Sequence, residues 1–179
     1  MPDKGMGRAC SDVPEVVEQI TRWVRDYVKV PVFVKLSPNS TLNETIAKHV
    51  QMAGGAGVSA TNTMFSFMDP DQNMDPYPAV GKNKHVYYGG AAGSVLRPIA
   101  LRVASTIANN PDLKGINIMA TGGIINAQHA LAYTMFGGAS VYQICSAVQE
   151  QDFSIINDLS TGLQILLYLS QREDLVNNG

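Results

Sequence analysis

Cysteine is nearly absent: Cys10 and Cys145 are the two in 179 residues, and neither belongs to a CxxC or Cys/His ligand spacing. That excludes a disulfide framework, a zinc site of the usual spacing and an iron–sulfur cluster, and it predicts a reducing compartment. Also missing is any apolar run of the roughly 18 residues that a membrane span takes. The opening Met1-Pro2-Asp3-Lys4-Gly5 lacks the apolar stretch of a signal peptide, so a cytoplasmic protein off the membrane is expected. Charge of one sign is lacking too. Thirteen basic side chains stand against 15 acidic ones, scattered along the chain, for a net charge of −2, which offers nucleic acid no basic face. The 16 Gly and nine Pro are dispersed rather than clustered, which excludes collagen and low-complexity disorder.

What remains is 45% hydrophobic residues in a length suited to a single domain, taken as residues 1–179. Its apolar pattern alternates between two periods. Val16, Val17, Ile20, Trp23, Val24 and Tyr27 fall on one helical face, with Ser11 or Asp12 placed to cap it. The β-branched run Val30-Pro31-Val32-Phe33-Val34 then reads as a strand leading into Lys35 and the Ser37-Pro38-Asn39 loop. The cycle repeats with a helix over 42–53, an extended stretch over 57–61 and a loop at Asn62-Thr63. Two further cycles follow: helix 97–109 with strand 115–120, then helix 127–136 with strand 139–144, ahead of a last helix over 153–170.

Four short apolar strands, each followed by a helix, predict an α/β fold with a parallel sheet. Periodicity leaves an open sheet and a curved (β/α)8 barrel both standing. Four units make half of such a barrel, whose usual length is about 250 residues. One connection is exceptional: residues 64–93 run roughly five times the ordinary loop length. Met64, Phe65, Phe67, Met68, Tyr77, Tyr87 and Tyr88 make it too apolar for a linker, so an ordered flap with a small hairpin is expected over the strand ends.

Ligands of parallel α/β sheets gather at the carboxyl ends of the strands. The four exits read Lys35, Asn62-Thr63, Thr121-Gly122-Gly123 and Cys145-Ser146. Lys35 aims an ammonium at the strand ends, and Asn62 carries both a donor and an acceptor, as the edge of a flat heterocycle requires. Thr121-Gly122-Gly123 and Cys145-Ser146 each lead from a strand towards a helix. There glycine lets backbone amides approach a phosphate and the helix dipole adds positive potential. Singly, each of these groups serves equally as a turn or a solvent-facing side chain; the two turns together favour phosphate. Cys10 reads as a small buried or loop cysteine. His49, His85 and His129 show no ligand spacing and read as surface or core residues; no metal site is expected.

Read in order, these segments resemble the flavin-binding barrel of the dihydropyrimidine dehydrogenase family and, more widely, the class I dihydroorotate dehydrogenases. The resemblance runs from Gly5-Met6-Gly7-Arg8 through Val34-Lys35-Leu36-Ser37-Pro38-Asn39, Ala60-Thr61-Asn62-Thr63, Pro78-Ala79-Val80-Gly81 and Tyr88-Gly89-Gly90. It continues through Gly93 with Arg97-Pro98-Ile99, Ala120-Thr121-Gly122-Gly123-Ile124 and Gln143-Ile144-Cys145-Ser146 to Leu166-Leu167-Tyr168-Leu169. It implies a partial (β/α)8 barrel of the four C-terminal units. FMN would be held by Lys35, Gly93, Thr121, Gly122, Gly123, Cys145 and Ser146, with Asn62 and Thr63 on a pyrimidine base. It also implies reduction of uracil or thymine, with electrons arriving from NADPH through FAD and iron–sulfur domains that this sequence lacks.

The departures shape the expectation as much as the matches. The family's proton-donating cysteine lies in an Asn-Leu-Ser-Cys-Pro-type loop ahead of the glycine–methionine segment, so Cys10 is not that residue and no catalytic residue is assigned. Ile125 stands where the family carries Asp after Gly-Gly-Ile. The chain is therefore expected to be inactive alone, pairing with a missing N-terminal half-barrel or with itself, or to serve as a non-catalytic FMN- or phosphate-binding subunit. A different phosphate-binding barrel acting on a phosphorylated metabolite is the remaining reading.

Overall fold

The computed structural model describes residues 12–75, 77–78 and 85–170. Helix α1 (Pro14–Tyr27) starts at a proline, whose fixed φ suits the first helical turn. The residue before it, Val13, makes no side-chain cap, so the cap expected of Asp12 does not form, and Ser11 lies outside the described residues. Strand β1 (Phe33–Lys35) begins three residues later than the apolar run and takes Lys35 into the ladder. Next come α2 (Asn43–Met52) and β2 (Gly57–Ala60). The segment that follows holds β3 (Met64–Phe67), β4 (Tyr77–Pro78), β5 (His85–Val86) and β6 (Tyr88–Ala91). A single 3-10 turn, Gly93–Leu96, runs straight into α3 (Arg97–Ala108). After a second short turn, Pro111–Leu113, come β7 (Asn117–Thr121), α4 (Ala127–Gly137) and β8 (Ala139–Gln143), then α5 (Ser146–Gln151) and α6 (Ile155–Leu169).

The main sheet has the order β1-β2-β7-β8, every pair parallel. All four carboxyl ends therefore lie on one edge, as the alternation of strands and helices predicts. The expected hairpin is present: β3 and β6 pair antiparallel, Met64 opposite Ala91, and β4 pairs with β5 beyond it. The described part of the chain thus fits a partial barrel of four βα units.

Side chains alternate across a strand, so the sheet has two faces of different character. Val58, Ala60, Ile118, Ala120 and Ala139 face the helices and share a core with Ile46, Val50, Ala100, Ala104, Ile107 and Tyr133. The alternate positions carry Lys35, Ser59, Met119, Thr121, Val141 and Gln143, and Val141 is 46% exposed there. Gly57, two residues before Ser59, falls on this second face by alternation, and nothing larger fits there: a Cβ would lie 2.3 Å from the Asn117 carbonyl oxygen and 2.7 Å from the Phe33 ring. One face is a sealed hydrophobic core. The other is an open, mixed surface that ends at the four exits.

Candidate functional site

Backbone hydrogen bonds stitch the exits together. The Leu36 amide donates to Ser59 O at 2.9 Å, and the Asn62 amide returns to Leu36 O at 2.7 Å. The Thr61 amide donates to Thr121 O at 2.8 Å, tying the second exit to the third. On the open face, Gln143 Oε1 accepts from Ser59 Oγ at 3.0 Å and from Thr121 Oγ1 at 2.6 Å, which ties the third to the fourth. Lys35 stands opposite Ser59 in the β1–β2 register, so its exposed ammonium and this polar cluster share one edge of the sheet.

The Asn62-Thr63 loop is held from both sides. Asn62 Oδ1 accepts from the Thr63 amide at 2.9 Å, while Asn39, from the β1 exit, accepts the Phe65 amide on its Oδ1 at 2.9 Å. Both Asn62 and Thr63 are exposed at the strand ends, with the β3–β6 hairpin springing directly from them. Beside that hairpin an open cavity of about 600 Å³ is lined by Thr63, Phe65, Phe67 and Tyr88.

At the far end of the edge, three glycine- and serine-bearing loops converge. Gly93 (φ 71°) and Gly123 (φ 64°) both occupy left-handed backbone, where a side chain is strained. A Cβ on Gly123 would lie 2.7 Å from the Gly93 carbonyl oxygen, and one on Gly93 would lie 3.6 Å from Ser146 Oγ. The result is a cradle whose floor is bare backbone and whose wall is a hydroxyl. Behind it, the Tyr133 hydroxyl donates to Gly122 O at 2.8 Å, and His129 Nδ1 lies 3.1 Å from Gly123 O. A carbonyl only accepts, so His129 carries its proton on Nδ1. Burial, with the nearby Arg97 charge, holds the His129 pKa below its ordinary value, which keeps the ring neutral near pH 7. Burial pushes the Tyr133 phenol up to about 12.

Every expected exit residue lies on this edge, and the helices expected after the third and fourth exits begin beside it. Helix α4 starts four residues after Gly123 and its first turn is capped by Asn126, whose side chain accepts the His129 amide. Helix α5 has only six residues. It opens at Ser146, and α3 also reaches the cradle, through the 3-10 turn beginning at Gly93. Thr121 spends its hydroxyl on Gln143, and Cys145 is an exposed free thiol at the start of α5. Cys10, in the segment 1–11, lies outside the described residues. His49 hydrogen-bonds Glu18, with Nδ1 2.7 Å from Oε2, and His129 supports the glycine turn. Among the described residues no cluster of three metal-ligating side chains occurs, and no helix is long and apolar enough to cross a membrane.

Residues 1–167 match the dihydroorotate dehydrogenase family. The chain belongs to that family. Among its curated relatives, the catalytic subunit of dihydroorotate dehydrogenase B (NAD(+)) from Methanocella arvoryzae is 34% identical over 160 residues, 89% of this chain and 50% of that protein. Its counterpart from Pyrococcus abyssi is 32% identical over the same length and coverage. The dihydropyrimidine dehydrogenase subunit PreA of Escherichia coli K12, NAD-dependent by name, is 27% identical over 164 residues, 91% of this chain and 39% of PreA. The chain thus spans half or less of the length of these relatives. As a dihydroorotate dehydrogenase family member it is a dehydrogenase homologue. The likeness extends to both branches rather than to dihydropyrimidine dehydrogenase alone.

Proposed function

We propose that this family member supplies the flavin- and pyrimidine-binding half of a dehydrogenase acting on the 5,6-bond of a pyrimidine ring. The observation that supports it is the convergence of Gly93, Gly123 and Ser146 on the same sheet edge as Lys35 and the Asn62-Thr63 loop. A dianionic tail fits a cradle of bare backbone and hydroxyl at the opening of α3. FMN carries such a tail, and Gly93, Gly122, Gly123 and Ser146, beside Thr121 and Cys145, would hold its phosphate. Once bound, FMN would supply the hydride chemistry that dehydrogenation of a carbon–carbon bond requires. Lys35, exposed at the same edge, would supply the cation that stabilises negative charge on the bound ring. Asn62 and Thr63 offer the donor and acceptor that read a pyrimidine's carbonyl and ring N–H edge.

The residues at this edge bind and orient, and the proton donor for turnover is proposed to come from outside them. The substrate is uracil or thymine in the dihydropyrimidine dehydrogenase reading and dihydroorotate in the other. The reductant to be assayed is NADPH beside NAD(H), since the matching relatives are named for NAD. The working compartment proposed is the cytoplasm. The deciding experiment is purification with flavin absorbance followed by FMN titration. A yellow protein that binds FMN and perturbs its spectrum on adding uracil or dihydroorotate supports the proposal. A colourless one that ignores FMN overturns it, and one that takes a phosphosugar instead points to another phosphate-binding barrel.

A further inference from the structure

The Gly122-Gly123 turn is clamped from behind by α4. We infer that Tyr133, assisted by His129, is a positioning residue that sets the orientation of the amides meeting an anion in the cradle. This rests on the function proposed above and specifies which groups make its phosphate site.

A trans peptide unit is planar and points its carbonyl and its N–H in opposite directions. The Gly122–Gly123 and Gly123–Ile124 peptides are both trans. Gly122 O is drawn to the Tyr133 hydroxyl at 2.8 Å, so the Gly123 N–H of that unit faces away from α4. Gly123 O is drawn to His129 Nδ1 at 3.1 Å, so the Ile124 N–H of the next unit is turned from it in the same way. Neither N–H donates a hydrogen bond among the described residues. Consecutive outward amides of this kind form an anion-binding concavity. Gly93, with its carbonyl 2.7 Å from the Gly123 Cβ direction, lies between this turn and Ser146.

Tyr133 is 0% exposed, the largest fully buried side chain of the core, and its hydroxyl also reaches Arg97 O at 3.4 Å. Its ring fixes the hydroxyl's place with little freedom to follow a displaced turn. Without the hydroxyl, Gly122 O loses its anchor, and two glycines at positive φ have no side-chain preference to hold them.

The test compares FMN with riboflavin, which lacks the phosphate, on wild type, Tyr133→Phe and His129→Ala, each with its melting temperature. We expect FMN to bind wild type more tightly than riboflavin does. In Tyr133→Phe that preference falls about tenfold while riboflavin affinity stays level, with a smaller fall in His129→Ala. An unchanged preference in both variants overturns the positioning role and leaves the proposed function standing. If wild type ignores FMN, the proposed function fails and this role with it. Should Tyr133→Phe not fold, His129→Ala decides by the same ratio.

Discussion

Ser59 Oγ and Thr121 Oγ1 lie 3.1 Å apart on neighbouring strands, and both reach the side-chain carbonyl of Gln143 on a third. One amide oxygen thereby serves two hydroxyls at the carboxyl edge of the sheet, just below the candidate site. Replacing Gln143 by Leu leaves both hydroxyls without this acceptor. The expected loss is about 1–2 kcal/mol in urea denaturation, with the secondary structure by circular dichroism unchanged. Equal stability of variant and wild type would show that water replaces the amide at no cost.

Ser146→Ala removes the hydroxyl wall of the cradle and creates no cavity of consequence. FMN affinity is expected to drop about tenfold, the scale of a hydrogen bond to a charged group, with thermal stability held. Gly123→Ala behaves differently. Its Cβ meets the Gly93 carbonyl oxygen and the Arg97 Cβ, both at 2.7 Å, at a positive φ. It should cost roughly 1–3 kcal/mol of stability as well as FMN binding, measured by thermal melts and titration.

Asn39→Ala should loosen the Asn62-Thr63 loop by releasing the Phe65 amide. The expected outcome is weaker uracil or dihydroorotate binding by the flavin-loaded chain, with FMN affinity preserved. Calorimetric titration separates the two, and a parallel loss of both ligands would place Asn39 in the fold rather than in the loop's aim.

Alkaline titration provides a further check. Burial raises the Tyr133 phenol to about 12 from its ordinary 10.0. The unfolded chain therefore ionises this group first, and the stability it contributes is complete below pH 10 and is lost as pH climbs towards 12. The slope expected from this group disappears in Tyr133→Phe. Stability measured across that window in both proteins gives the comparison; parallel curves would show that the phenol is not held neutral.

Strands β1 and β8 have no further partner in the sheet among the described residues, and Trp23 (61% exposed) and Tyr27 (95%) stand out on α1. Open edges and exposed aromatics favour association. Light scattering on the isolated chain is expected to give a mass above 19.3 kDa that falls in Trp23→Glu/Tyr27→Glu. A wild-type monomer at dilution would contradict this.

The strand–helix alternation was legible in the sequence because buried strands and amphipathic helices leave different apolar periods. The four exits followed because parallel strands must end on one edge. Contacts between distant residues were not legible. Nothing near Gly93 announces Ser146, and Ser59 reads as one more small residue in an apolar strand. Tyr133 looks like an ordinary core aromatic until the hydroxyl's acceptor is known. The part of α3 is hidden for a related reason: adjacency in sequence points to α4 and α5, and the 3-10 turn at Gly93 adds α3 to them. Asn39 has the sequence context of a turn residue, yet it works across 26 residues on Phe65.

The cradle is made of three loops that meet only when β7, β8 and the start of α3 are all in place. It has no local precursor in the unfolded chain, so a phosphate-bearing ligand of the proposed kind would engage the native state alone. Ligand capture is then coupled to global folding rather than to one loop. At a hundredfold excess over its dissociation constant such a ligand would raise the unfolding free energy by about 2.7 kcal/mol, enough to make cofactor supply a determinant of how much folded protein a cell retains.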